Sequence, residues 1–224
     1  EDAHWYSIQK NALNKWQPAD GSHQFNNGGY YIIRETDTLS FIRCGNHNDR
    51  PSQADNLHLD IWYKGENVLT DAGSYKYNTD EETLKYFMGT ASHNTVMLDN
   101  ADQMKKGTRF IWYNWSQCKD VQLTETADTF YFKGTISVFA NIAPGILHTR
   151  EIIKAKDKPY WQIKDTVTNK PVTVSMKQLW HLPLQHLPLS FKSVDENKDG
   201  LAAQISNGEL SQLYGKKEAS ETII

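Results

Sequence analysis

The residues Leu57-His58-Leu59-Asp60-Ile61-Trp62-Tyr63 alternate apolar and polar side chains, and Lys64-Gly65 then turns the chain into Glu66–Asp71. A period of two puts Leu57, Leu59, Ile61 and Tyr63 on one face of a strand and His58, Asp60 and Trp62 on the other. A two-residue Lys64-Gly65 turn pairs Tyr63 with Glu66, Ile61 with Val68 and Leu57 with Ala72, and it places His58 opposite Asp71. A three-residue turn instead sets Leu59 against Asp71 and His58 against Ala72. Register follows the buried face, so the apolar pattern favours the two-residue form. Cross-strand neighbours then lie about 5 Å apart, within reach of one hydrogen bond or one shared ion.

Outward from this hairpin the pattern stays β. Gly29–Glu35 and Leu39–Arg43 read as strands joined at Asp37-Thr38. Further strands are expected at Thr95–Leu98, Phe110–Trp115, Val121–Thr126, Phe130–Val138, Ile146–Ala155, Tyr160–Val167, Val172–Leu182 and Leu201–Ile205. Turn residues such as Asp157-Lys158-Pro159 and Asn169-Lys170-Pro171 separate them. Short strands at close spacing argue for an all-β fold, a large antiparallel β-sandwich. Two helices are expected: Asp80–Phe87 inside a polar insertion, and a short one around Ile8, Leu13 and Trp16. Residues 1–27 therefore read as a helix and linker, and residues 28–224 as the sandwich. Ser220–Ile224 begins an apolar run as if cut inside or just before a strand.

The 224 residues are 38% hydrophobic and 12% aromatic, too apolar for a disordered chain. With 24 basic and 27 acidic residues the formal charge is −3, which gives no long-range pull toward nucleic acid or an anionic membrane. The apolar runs are a few residues long, too short for a membrane span. Cys44 and Cys118 match no metal or redox spacing and are enough for one disulfide.

Candidate chemistry gathers between Asn46 and Asn94. Loop 46–55 carries Arg50, Gln53 and Asp55 and feeds directly into the His58 strand. His58 and Asp71 make either a structural pair or, with His93 and with Gln53 or His58 in the third position, a zinc site. Tyr77 carries a hydroxyl suited to acid–base work, and Trp112, Tyr113 and Trp115 form an aromatic group able to stack on sugar rings or to fill a core.

The run from Arg50 to Gly65, then Leu69-Thr70-Asp71-Ala72-Gly73-Ser74-Tyr75-Lys76-Tyr77, then His93-Asn94-Thr95, resembles the heparinase II/III family. His148-Thr149-Arg150 and Trp161–Asp165 extend the resemblance, which runs from about Gly28 to Trp180. Members are polysaccharide lyases with an α/α toroid followed by a β-sandwich, and the resemblance covers the sandwich alone. They cut uronic-acid polymers by β-elimination: one group neutralises the carboxylate, a base takes the C5 proton, and an acid protonates the leaving oxygen.

The resemblance implies several assignments. The principal base and neutraliser lie on the toroid, so this chain without it is expected to be inactive. Catalytic candidates on the chain are Tyr77 and His58, and Arg50, Asp55 and Trp112 would bind substrate. A structural zinc would fall on Gln53, Asp71 and His93, with Gln53 standing where zinc-binding members have His and with His58 as its substitute. The partners would be an acidic polysaccharide and the toroid of the same polypeptide, outside the cytoplasm. Two alternatives stay open: a non-catalytic carbohydrate-binding module, and a divergent member acting in surface-polysaccharide assembly.

Overall fold

The structure, a computed structural model, describes residues 18–184 and 189–224. The helix expected around Ile8, Leu13 and Trp16 lies outside them. Five strands form one antiparallel meander: β1 (Gly21–Phe25), β2 (Tyr30–Glu35), β3 (Thr38–Arg43), β4 (Leu59–Tyr63) and β5 (Glu66–Leu69). Next come helix α1 (Glu81–Met88), β6 (Val96–Leu98) and the short pair β7 (Lys105–Lys106) and β8 (Trp112–Tyr113). The second large sheet is β9 (Gln117–Glu125), β10 (Thr129–Ser137), β11 (Leu147–Ala155) and β12 (Trp161–Thr168), paired in sequence order. β13 (Met176–Gln178) pairs with β6, and the pair β15 (Ser193–Val194) and β16 (Gly200–Leu201) follows β14 (Trp180–His181). Finally β14 joins the hairpin β17 (Ile205–Leu213) and β18 (Lys216–Ile223) in a third sheet.

The fold is an all-β sandwich. Inward residues of the first sheet (Tyr31, Ile33, Ile42, Leu59, Ile61) meet those of the second (Leu123, Phe130, Phe132, Ile136, Ile152) in one core. Strict alternation builds it: Phe130, Phe132, Gly134 and Ile136 of β10 are all buried and their neighbours are not. Burying a side chain such as Phe132 or Ile152 contributes about 1.5–3 kcal/mol. The edges of the two sheets also meet, Gln24 of β1 donating to the Leu123 carbonyl of β9 at 3.1 Å.

Several boundaries differ from the sequence reading. β1 occupies part of the segment read as linker. It carries little apolar signal because only one edge is paired and its burial is partial. The expected strand 172–182 is broken, since residues 172–174 turn, the Val174 N–H donating to the Pro171 carbonyl, and β13 and β14 then pair with different strands, β6 and β18. The expected strand 110–115 shrinks to β8 because Arg109 and Asn114 adopt positive φ. Residues 205–213 and 216–223, largely polar, form a hairpin that the apolar pattern alone did not show. Helix α1 is where its capping residue puts it: Asp80 Oδ1 accepts the Thr83 N–H at 2.8 Å, with Glu81 and Glu82 in the first turn.

The deciding hairpin keeps its two-residue turn, with Lys64 and Gly65 both at positive φ and Tyr63 opposite Glu66. The register further along is corrected. Trp62 pairs with Asn67 but Ile61 pairs with Leu69, so Val68 is an extra residue in a β-bulge. Val68 and Leu69 are both buried, which strict alternation would forbid and the bulge permits. Leu57, at φ 61°, has left the strand, so no ladder carries His58 across from Asp71.

Candidate functional site

Asn94 closes the gap the bulge opens. It is fully buried, and its Nδ2 donates to the Leu59 carbonyl at 2.9 Å and to the Thr70 carbonyl at 3.0 Å. Its Oδ1 accepts the His181 N–H at 2.6 Å, so one amide ties the ends of β4 and β5 to β14. The Asn94 backbone N–H donates to His58 Nδ1 at 3.0 Å. His58 Nδ1 is therefore an acceptor, and the proton of the neutral ring sits on Nε2, 3.7 Å from Asp71 Oδ2. The same carboxylate oxygen accepts from His93 Nδ1 at 2.6 Å, while Oδ1 accepts the Gly73 N–H at 2.7 Å. Position 73 must be glycine: it sits at φ 87°, and a Cβ there would lie 2.1 Å from the Ser211 carbonyl oxygen.

His58, Asp71 and His93 thus meet despite the altered register. Two of them are enclosed, while the Asp71 side chain is about one-third exposed (32%). Burial would push His93 down, but the adjacent Asp71 carboxylate outweighs it and holds the imidazole above its usual range. Burial likewise works against the Asp71 charge, yet His93 beside it keeps the carboxyl well below the usual carboxylate range. Both shifts describe one ion pair.

His58 behaves oppositely. Burial pushes it down to about 4, with the Asp71 charge opposing and His93 assisting. Geometry agrees, because a proton on Nδ1 would face the Asn94 N–H. Unfolding returns the ring to about 6.5, so His58 contributes stability that is present above 6.5 and lost as pH falls through about 4. His58→Asn keeps an acceptor at the Nδ1 position and removes the titration. Between neutral pH and about pH 4 the wild type should lose about 3 kcal/mol more than this variant in urea unfolding. Parallel pH profiles for the two proteins would contradict it.

Among the described residues, this is one group of three such side chains whose ligand atoms converge, all within 4.8 Å of one another. The chemistry suits zinc in type, and the Nε2 atoms of His58 and His93 are both buried without a partner. The proton positions do not suit it. His58 Nε2 carries the hydrogen that the Asn94 N–H fixes there, so of the two imidazoles only His93, with its Nδ1 on Asp71 and its Nε2 unpartnered, is set as a zinc-ligating ring is. Gln53 at the family position turns its amide to Ser74 Oγ and the Phe87 carbonyl, both at 3.4 Å. Too few free ligands remain for the three or four that zinc uses, so the residues present do not fit the zinc site the resemblance implies.

The other sequence candidates separate into exposed and structural residues. Asp55 spends its carboxylate on Arg43, 3.0 Å from Nε. Trp112 is 2% exposed and packs with Ala54, Met88 and Met104, so the substrate-stacking role expected for it is corrected to a core role. His58 is 4% exposed, and its Nε2 is buried 3.7 Å from Asp71 Oδ2. Arg50 and Tyr77 are exposed. The Arg50 guanidinium lies 5.9 Å from the Phe110 ring, Phe110 lies 6.0 Å from Tyr77, and Tyr77 lies 6.4 Å from Tyr214. Tyr77 and Tyr214 are each 72% exposed. Lys76 and Lys217 flank this row at the Tyr75 ring.

Sequence reasoning missed Phe110 and Tyr214. A large aromatic beside Gly215 was the available signal for Tyr214, since a Gly marks a turn and loops carry binding residues.

Residues 17–223 match the model of the family described as heparinase II/III-like, C-terminal. The chain is 29% identical over 140 residues to a heparin-sulfate lyase of Bacteroides stercoris, covering 54% of the chain and 20% of that relative. It is 28% identical over 219 residues to a heparin-sulfate lyase of Pedobacter heparinus, covering 88% of the chain and 31% of the relative. The chain thus spans less than a third of either curated relative. A solved heparinase III structure superposes with a TM-score of 0.73 at 21% identity, over 99% of this chain and 35% of that one. A heparan sulfate lyase structure from Pedobacter heparinus gives 0.73 at 19% identity, over 99% and 37%. These two likenesses show the fold.

Proposed function

The chain belongs to the heparinase II/III-like C-terminal family, and from that premise we propose that it is the β-sandwich part of a polysaccharide lyase acting outside the cytoplasm on a uronic-acid polymer. The observation that carries the proposal is the surface row Arg50, Phe110, Tyr77 and Tyr214, in which Phe110 is half-buried against the Trp112 cluster and the other three are exposed. Aromatic faces take the C–H faces of sugar rings, and a guanidinium takes a carboxylate or sulfate in two parallel hydrogen bonds. The row lies beside the Asp71–Tyr77 segment that the buried cluster holds in place. In β-elimination the sandwich then binds the polymer and presents the Tyr77 hydroxyl near the reacting sugar. The toroid implied by the resemblance supplies the neutraliser and the principal base. His58 and His93 act through Asp71 as positioning residues. No described helix is long and apolar enough to cross a membrane.

Calorimetric titration with a heparin-sulfate oligosaccharide at low ionic strength tests this. Arg50→Ala should weaken binding about 10-fold, the loss of one charge-assisted contact. Tyr77→Ala should weaken it about 5-fold. Wild-type affinity in both variants would overturn the binding face. The surface row equally suits a non-catalytic carbohydrate-binding module. Unsaturated product formed by a polypeptide that joins this chain to its toroid, and reduced in Tyr77→Phe, selects the lyase; binding without product selects the module.

A further inference from the structure

Cys44 and Cys118 lie 74 residues apart in sequence and on different sheets, yet their sulfurs are 3.7 Å apart. Cys44 directly follows β3 and is buried, while Cys118 lies in β9 and is partly buried. Val121 and Leu123 pack on the core, and plain alternation from them would point Lys119 inward and Cys118 outward. The β9–β10 register shifts here: Asp120 pairs with Thr135 and Cys118 with Ile136, leaving Lys119 as the extra residue. That bulge turns Cys118 toward the interior, where it packs on the core beside Cys44.

The surrounding backbone fixes both ends. The Cys44 N–H donates to the Gly29 carbonyl at 2.8 Å, and the Cys118 N–H donates to the Gly45 carbonyl at 3.3 Å. The buried Asn56 side chain holds Gly45 on both sides, at 3.0 and 3.2 Å. Gly134 leaves the space across from Cys44, since a Cβ there would lie 2.9 Å from the Cys44 sulfur. The Gly45–Cys118 hydrogen bond holds the two main chains side by side, and closing the 3.7 Å between the sulfurs to a bond of about 2 Å asks for a small side-chain movement.

We propose that Cys44 and Cys118 are a disulfide site that reversibly staples the two sheets of the sandwich. The oxidant is a small-molecule disulfide or the disulfide of an oxidoreductase. The Cys118 thiolate attacks one of its sulfurs, forming a mixed disulfide and releasing one thiol. Cys44 then loses its proton to solvent and attacks Cys118 Sγ, expelling the second thiol. Two protein thiols are oxidised and one external disulfide is reduced. The order follows from access, because Cys118 is the more exposed partner. Its thiol is also held down to about 7, chiefly by the Cys44 hydrogen bond, whereas that contact and burial push Cys44 up. The closed loop contains Arg50, Asp71, Tyr77, His93 and Phe110, all of the candidate site except Tyr214, so an oxidising compartment would constrain most of that site.

Equilibration in oxidised glutathione, followed by intact-mass measurement without reductant and by thiol titration, reads the result. The expected product is a monomer lighter by two hydrogens with no titratable thiol, and dithiothreitol reverses it. Its unfolding midpoint should rise by roughly 5–10 °C over the reduced form. Cys118→Ser should fold and bind oligosaccharide as the reduced wild type does, with no redox dependence of the midpoint. Two thiols still titratable in excess oxidised glutathione, a stable glutathione adduct, or a disulfide-linked dimer in place of the internal bond would each overturn the proposal.

Discussion

Asp165→Ala is expected to destabilise the chain by about 3–5 kcal/mol. Asp165 and Arg150 are an enclosed ion pair with side chains at 0% exposure. The carboxylate accepts Arg150 Nε and Nη2, His148 Nε2 and Gln178 Nε2, each at 2.8 Å. Burial opposes its charge, but Arg150 outweighs burial and keeps the carboxyl well below the usual carboxylate range. Arg150 Nη1 reaches across the sandwich to the carbonyls of Leu57 and Asn94, at 2.7 and 2.6 Å, and its guanidinium lies 5.0 Å from the Trp180 ring. Removing the carboxylate leaves that guanidinium charged in the core with two carbonyls as its hydrogen-bonded partners among the described residues. Urea unfolding of Asp165→Ala and of the double variant Arg150→Met/Asp165→Leu measures this. The double variant should recover most of the loss, since an apolar pair escapes the desolvation cost. A single-variant loss below about 1 kcal/mol would show the pair to be dispensable.

The second large effect is at Asn94. Asn94→Ala strands the carbonyls of Leu59 and Thr70 and the N–H of His181, three buried groups costing about 1–3 kcal/mol each when unpaired. A loss of about 3 kcal/mol or more is expected in the same measurement. The ends of β4 and β5 should also loosen, because the bulge leaves Asn94 bridging them. Faster amide exchange at Leu59 and Thr70, with the second sheet unchanged, would show the loosening to be local. A loss below about 1 kcal/mol would mean that other groups satisfy these carbonyls.

Strands in the second sheet were legible because Phe130, Phe132 and Ile136 alternate with residues that face solvent. The Lys64-Gly65 turn was legible from its residue types. The Val68 bulge was not, since two successive apolar residues fit either register until the structure shows both buried. The polar hairpin β17–β18 and edge strand β1 were hidden because little of either is buried.

Long-range pairing was the main gap. His148, Arg150 and Asp165 stood out only by family resemblance, and nothing local joins Arg150 to the carbonyls of Leu57 and Asn94. His58 and Asp71 were read as a cross-strand pair and His93 only as a further ligand of an expected zinc site, and the tautomer of His58 depends on an N–H from 36 residues away. Trp112 and Phe110 are two residues apart and pack in one cluster, and sequence could not say that Trp112 is enclosed while Phe110 stays half-buried at the edge. The row from Arg50 to Tyr214 joins four separate segments, and only Arg50 and Tyr77 were legible.

Nuclear magnetic resonance titration of the isotopically labelled chain with a heparin-sulfate oligosaccharide tests the binding face most directly. Shifts that grow with ligand should gather on Arg50, Tyr77, Phe110 and Tyr214 and weaken as salt is raised. The interior amides of β10 and β11 should stay still. Shifts gathered instead at the hollow lined by Arg34, Glu125 and Lys158, or none at saturating ligand, would contradict a polysaccharide-binding role for this face.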